Sequence, residues 1–80
     1  MNYYQQSFQR LYENFVFSLN IYRDRHLKSV LYHQILEKLE TLVTTYEKLG
    51  IPKAQLLQWQ GYYAKRIHNA YQNGGKNDLL

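Results

Sequence analysis

The sequence predicts an all-α protein, an antiparallel three-helix bundle with helices at about residues 3–20, 24–49 and 52–73. Apolar residues recur at steps of three and four in three separate stretches, which is typical of helices that bury one face. Turn-forming residues separate the stretches, and a chain of 80 residues has room for one core. We therefore expect a single helical domain over residues 1–73, followed by a flexible tail at residues 74–80, which begins with two glycines.

The first stretch predicts an amphipathic helix that is rich in aromatic residues. Its apolar stripe consists of Tyr4, Phe8, Leu11, Tyr12, Phe15, Leu19 and Tyr22. The opposite face is polar and carries Gln5, Gln6, Gln9, Arg10, Glu13 and Asn14. The pattern stops at residues 20–24, where the side chain of Asn20 or Asp24 can accept a hydrogen bond from the first turn of the next helix.

The second stretch predicts the longest helix of the bundle. Apolar residues form a heptad seam at Tyr32, Ile35, Leu39, Leu42, Tyr46 and Leu49. The seam is widened on both sides by Leu31, Leu36 and Val43. A seam of this width indicates that the helix packs against two neighbours.

The third helix is predicted from the turn that precedes it. Gly50 can adopt the left-handed conformation that ends a helix, and the fixed φ of Pro52 suits the first turn of another, so we expect the third helix to begin at Pro52. Its apolar positions are Leu56, Trp59, Tyr63, Ile67 and Ala70. Gly61 lowers its intrinsic stability by about 1 kcal/mol relative to Ala.

The residues that catalysis and metal binding require do not occur at the necessary spacings. The chain has no Cys, and His26 and His33 lie two helical turns apart, about 10 Å, which is too far for one metal ion. The serines and glutamates stand in no recognisable catalytic or phosphate-binding motif. We expect no enzyme activity, no cofactor, no metal and no small-molecule substrate.

No segment has the pattern of a secretory signal or of a membrane span. The sequence therefore predicts a cytoplasmic protein.

The formal net charge of +4 is concentrated in two clusters. One comprises Arg23, Arg25, His26 and Lys28 at the start of the second helix, and the other comprises Lys53, Lys65, Arg66 and Lys76. Such clusters can neutralise phosphates or contact an acidic protein surface. They equally fit a role in solubility.

Residues 49–59 resemble the turn and second helix of a helix-turn-helix motif. In that motif a Gly makes the turn and apolar residues follow at one, six and nine positions beyond it, which here are Ile51, Leu56 and Trp59. The resemblance implies a DNA-binding regulator in which Lys53, Gln55 and Gln58 contact base edges and Lys65 or Arg66 contacts phosphate. Bulky Tyr46 stands where the motif has a small residue, which obstructs close helix crossing. The second helix is also much longer than the first helix of the motif, so the same turn fits the bend of a plain antiparallel hairpin.

Surplus aromatic and apolar residues favour a protein partner instead. Tyr3, Phe17 and Tyr62 lie off the main stripes, and Tyr, Trp and Arg are enriched in protein interfaces. A homodimer would complete the bundle by burying apolar positions that the stripes do not use, namely Val16, Phe17, Ile21, Val30 and Leu57.

Size, basic charge and helical layout also resemble a known family. The sequence Leu-Tyr-Glu-Asn at residues 11–14, followed by a long Leu-rich helix, is similar to the immunity proteins that protect bacteria from their own peptide bacteriocins. Those proteins typically have four helices. The resemblance implies an immunity function and assigns no residue a role.

These features together predict a small, non-enzymatic regulatory or adaptor protein that binds another macromolecule through the third helix and a basic cluster. A protein partner and a homodimer are favoured, with DNA binding and bacteriocin immunity as the alternatives. The predicted contact residues are Arg23, Arg25, Lys28, Lys53, Gln55, Gln58, Tyr62, Lys65 and Arg66.

Overall fold

A computed structural model of the chain describes residues 2–73 and shows three packed helices. They are α1 (Tyr3–Ile21), α2 (Arg25–Lys48) and α3 (Lys53–Gln72). The predicted all-α three-helix bundle is confirmed, and each helix boundary lies within one residue of the predicted one. The tail that was predicted at residues 74–80 lies outside the described residues.

Side-chain caps begin the first two helices. The Asn2 side chain accepts a hydrogen bond of 2.8 Å from the Gln5 backbone N–H at the start of α1. At the start of α2 the Asp24 carboxylate accepts from the backbone N–H groups of His26 (2.8 Å) and Leu27 (3.2 Å). Such caps satisfy N–H groups that have no partner within the helix. Of the two predicted caps, Asp24 is therefore the one used.

The turn between α2 and α3 depends on Gly50, whose φ is +98°. The backbone N–H of Ile51 donates to the Tyr46 carbonyl (3.1 Å), which closes the end of α2 in the manner of a glycine C-cap. Pro52 has φ −57° and ψ 132°, so it precedes α3 as its N-cap. The prediction that the helix begins at Pro52 is wrong by one residue, because only the φ of this proline is helical.

Contacts along the bundle establish the helix directions. The Tyr46 hydroxyl donates to Ser7 Oγ (2.6 Å) near one end, and the ring centroids of Phe15 and Tyr32 lie 6.2 Å apart near the other, so α1 and α2 are antiparallel. The rings of Tyr32 and Tyr71 stack at 4.4 Å, so α3 returns antiparallel to α2. Helices α1 and α3 consequently run parallel and in contact.

The core contains residues of all three helices, with the largest share from α1. It consists of Phe8, Tyr12, Phe15, Val16, Leu19, Ile35, Leu39, Val43, Tyr46, Leu56, Tyr63, Ile67 and Ala70. Val16, which was predicted to be surplus for a dimer, is 0% exposed. Leu49, which was predicted in the heptad seam, is 63% exposed because α2 ends at Lys48. Among the described residues, no helix combines the length and the hydropathy that a membrane span needs.

Candidate functional site

An open groove of about 580 Å³ runs between α1 and α3 on the surface of the bundle. It is lined by Gln5, Gln9, Gln55, Gln58, Trp59, Tyr62, Tyr63 and Arg66. We call this surface the α1–α3 groove. Helical spacing explains the lining, because Gln5 and Gln9 are one turn apart on α1, and residues three or four apart on α3 share a face.

Aromatic residues form the floor of the α1–α3 groove. The Phe8 ring lies 5.8 Å from the Trp59 ring and 6.2 Å from the Tyr63 ring, measured between centroids. Phe8 belongs to the core, so the floor is anchored in the interior of the bundle. Tyr62 meets Tyr63 edge to face at 4.9 Å and is itself 54% exposed.

Arg66 lies between two tyrosines at one end of the groove. Its guanidinium carbon is 4.2 Å from the centre of the Tyr12 ring and 5.7 Å from that of Tyr62. It also donates hydrogen bonds to the hydroxyls of Tyr12 (3.3 Å) and Tyr62 (3.5 Å). These cation–π and hydrogen-bond contacts hold a long, flexible side chain in one place.

The same contacts favour the charged form of Arg66. Burial lowers the pKa of the guanidinium, but the Tyr12 and Tyr62 hydroxyls outweigh burial and raise this pKa above its ordinary value. In the part of the chain that the structure describes, the contacts of Arg66 go to these tyrosines and none goes to a carboxylate. Within residues 2–73, Arg66 is therefore a cation of the groove that is held in place and forms no ion pair.

The glutamine side chains give the groove groups that both donate and accept hydrogen bonds. Gln55 Nε2 donates to Gln58 Oε1 (3.3 Å), and Gln9 Nε2 donates to the Glu13 carboxylate (3.2 Å). Gln5 forms a hydrogen bond with the hydroxyl of Tyr63. Burial and Tyr62 raise the pKa of this hydroxyl, while Arg66 and the hydrogen bond with Gln5 lower it. Amide groups match the hydrogen-bonding pattern of a peptide main chain.

The predicted contact residues do not form one surface. Gln55, Gln58, Tyr62 and Arg66 come together in the α1–α3 groove. Lys53 and Lys65 are exposed on α3 but do not line it. Arg25 and Lys28 line a separate hollow of about 480 Å³ with Tyr71 and Gln72, and Arg23 is exposed between α1 and α2.

Gln5 and Gln9 belong to the groove but were predicted only as part of the polar face of α1. Both are half-buried because α3 packs beside them. The sequence signal for Gln5 and Gln9 was that they are four residues apart and border the apolar stripe of α1. The sequence pattern does not show which helix packs against that edge of α1, because this depends on the tertiary structure.

The turn at Gly50 connects antiparallel helices. The units of a helix-turn-helix cross at about 90–120°. Here α3 instead follows α2 from the Ile51–Tyr46 hydrogen bond to the Tyr32–Tyr71 stack. The contacts thus favour the hairpin alternative for this turn.

Two of the three histidines contact Tyr32, whose ring centroid lies 5.5 Å from that of His33 and 6.2 Å from that of His68. His68 Nδ1 is 3.1 Å from the Tyr32 hydroxyl, whereas His26 is exposed at the start of α2. Across residues 2–73, no three His, Asp or Glu side chains are grouped as a metal ion would require.

Comparison of the chain with protein-family models, with curated proteins and with solved structures finds no match in any of the three. The resemblances to helix-turn-helix proteins and to bacteriocin immunity proteins remain predictions from the sequence.

Proposed function

We propose that the chain is a small, non-enzymatic regulatory or adaptor protein that binds a protein partner in the α1–α3 groove. The observation that carries this proposal is the grouping of Trp59, Tyr62 and Arg66 along one groove. Tyr, Trp and Arg dominate the residues that contribute most binding energy in protein interfaces. Exposed Tyr62 beside half-buried Trp59 gives the partner an apolar surface with polar groups at its edge.

Preorganisation supports the same proposal. Ordering a flexible side chain upon binding opposes association by about 0.5–1.5 kcal/mol. Arg66 is already held by Tyr12 and Tyr62, and the aromatic floor is packed on Phe8. A partner that docks here therefore loses less of its binding energy to ordering the groove.

The shape of the groove favours a segment of a protein over a small molecule. Small-molecule sites enclose about 70–90% of the ligand surface. The α1–α3 groove is open and bounded by two parallel helices, so it suits an elongated segment that lies along the helix axes.

The experiment is an affinity capture from the source cells with wild-type chain and with Tyr62→Ala, each with and without nuclease. We expect Tyr62→Ala to bind the partner about tenfold or more weakly than the wild type, as for a tyrosine at the centre of an interface, and so to capture much less of it. Tyr22→Ala is the matched control, because Tyr22 is also exposed but lies outside the groove, between α1 and α2. Equal capture by wild type and Tyr62→Ala would contradict the proposal. Circular dichroism verifies that both variants fold.

Nucleic acid is the second candidate. The observation that favours it is the charge of α3, which carries Lys53, Lys65 and Arg66 and no acidic residue. Phosphate contacts make binding strongly salt-dependent. If this candidate is correct, nuclease releases the captured material, duplex binding weakens steeply between low and physiological salt, and Lys53→Glu abolishes it.

A further inference from the structure

We infer that the segment bound in the α1–α3 groove is acidic and that one of its Asp or Glu carboxylates pairs with Arg66. The inference rests on the proposed function and names the chemistry of its partner. It follows from three features of the described residues: the unused donors of Arg66, the charge of α3, and the glutamines that continue the groove.

The first feature is the hydrogen-bonding capacity that Arg66 retains. A guanidinium has five N–H donors in a planar fork. The hydroxyls of Tyr12 and Tyr62 accept from two of its nitrogens, at 3.3 Å and 3.5 Å. No further acceptor for Arg66 is found among residues 2–73. The remaining donors can form the paired bonds with a carboxylate that arginine prefers.

The second feature is charge complementarity. Helix α3 contains three cationic side chains and no carboxylate over its whole length. On the opposite edge, the Glu13 carboxylate accepts a hydrogen bond from Gln9 instead of contacting Arg66. Arg66 lines the groove, and the charges of Lys53 and Lys65 lie on the same helix outside the lining, so α3 as a whole attracts an acidic segment toward Arg66.

The third feature distinguishes a peptide from a simple anion. Gln5 and Gln9 on α1 face Gln55 and Gln58 on α3 along the groove that ends at Arg66. Amide side chains donate to main-chain carbonyls and accept from main-chain N–H groups. A free anion would occupy Arg66 alone, whereas an acidic peptide also uses the glutamines.

The test selects ligands for the full chain from a phage-displayed library of random 12-residue peptides. Affinities of the selected peptides are then measured by fluorescence anisotropy. We expect Asp or Glu at one fixed position of the selected peptides. We expect Arg66→Gln to weaken them by about tenfold or more, as for the loss of a charge-assisted hydrogen bond. Lys65→Gln is the matched control, since it removes the same charge from an exposed neighbour outside the groove, and we expect less than about a threefold effect.

A double-mutant cycle separates direct pairing from general electrostatics. Changing the peptide's conserved Glu to Gln should weaken binding to the wild-type chain about tenfold and have little further effect on Arg66→Gln. Glu13→Gln should strengthen binding, because it removes a negative charge near the groove. If Arg66→Gln does not fold, Arg66→Lys, which keeps the charge but loses the planar fork of donors, takes its place in the cycle.

The outcomes distinguish this inference from the function on which it rests. Peptides that depend on Tyr62 but show no acidic preference, or that tolerate Glu→Gln, would overturn the inference and leave groove binding intact. Peptides that bind Tyr62→Ala as well as wild type would overturn both. If a peptide with phosphoserine in place of the conserved Glu binds more tightly than the Glu peptide, the ligand is phosphorylated and the inference is overturned.

Discussion

Tyr63 illustrates how the residues of the groove depend on the core. Its side chain is buried in the core cluster, yet its hydroxyl lies among Gln5, Tyr62 and Arg66. Burial, followed by Tyr62, raises the pKa of this hydroxyl above its ordinary value of 10.0. The folded protein therefore favours the neutral phenol more strongly than the unfolded chain does.

This pKa shift predicts a loss of stability at alkaline pH. The folded pKa lies above the unfolded value of 10.0, so the contribution of Tyr63 is complete below pH 10.0 and is lost as pH rises through the folded pKa. Because one proton is involved, the free energy of unfolding changes by at most about 1.4 kcal/mol per pH unit. Urea unfolding between pH 9 and 11 should show a smaller alkaline decrease for Tyr63→Phe than for wild type. Tyr22→Phe, at an exposed tyrosine, should retain the wild-type decrease; an identical decrease in Tyr63→Phe would contradict the prediction.

Individual residues differ in how far the sequence determines their environment. Asp24 could be predicted as a cap because capping depends on the two or three residues that follow it. The burial of Val16 could not, since it borders the stripe and is covered only because α1 has neighbours on two sides. Likewise, Arg66 and Tyr12 lie on different helices, and no local pattern indicates that they stack.

At the scale of the element, Gly50 and Gly61 form a natural pair for testing the turn and the helix that follows it. Apart from the local backbone, no atom lies within 4 Å of the position that a Cβ would occupy at either glycine. Clashes with other residues therefore do not distinguish the two sites. Gly50 has φ +98°, whereas Gly61 lies within α3. The backbone conformation alone should therefore determine the effect of an alanine.

We expect opposite effects from the same substitution at these glycines. Gly50→Ala should lower the free energy of unfolding by about 1–2 kcal/mol, because an L-residue is strained at positive φ. Gly61→Ala should raise it by about 1 kcal/mol through helix propensity. Urea unfolding followed by circular dichroism measures both. The turn would need another explanation if Gly50→Ala were as stable as wild type.

Helix boundaries and the antiparallel order could be predicted because they depend on caps, turns and hydrophobic period. Four of the contact residues predicted on α3, namely Gln55, Gln58, Tyr62 and Arg66, line the groove, and their role in binding stays a prediction. Its α1 side depends on which helices become neighbours and on their rotation. Periodicity shows which face is apolar and does not show what lies at its edge.

At the scale of the whole molecule, self-association remains a prediction. Of the residues predicted to be surplus, Val16 is in the core and Val30 is half-buried. Phe17 and Ile21 are exposed one turn apart on α1, and Leu57 is exposed on α3. Tyr22 and Leu27 are exposed nearby in the sequence. Two copies of this apolar surface can pair across a two-fold axis.

The double substitution Phe17→Ser with Ile21→Ser should reduce self-association. Sedimentation equilibrium of the wild type should show an apparent mass that rises above the 9.7 kDa of one chain as concentration increases. The variant should remain at the single-chain mass, because the shared apolar area is lost. Tyr3→Ser with Leu49→Ser is the control at the opposite end of the bundle. A wild-type chain that stays at one chain mass at every concentration would eliminate the homodimer.

The position of Trp59 has a spectroscopic consequence. It is the single tryptophan of the chain, so all indole emission comes from the floor of the α1–α3 groove. The indole is half-buried against Phe8, which leaves part of it in contact with solvent when the groove is empty. A ligand that covers the groove removes that water and shifts the emission to shorter wavelength. The chain therefore contains its own optical probe, and titrations of this surface require no attached dye.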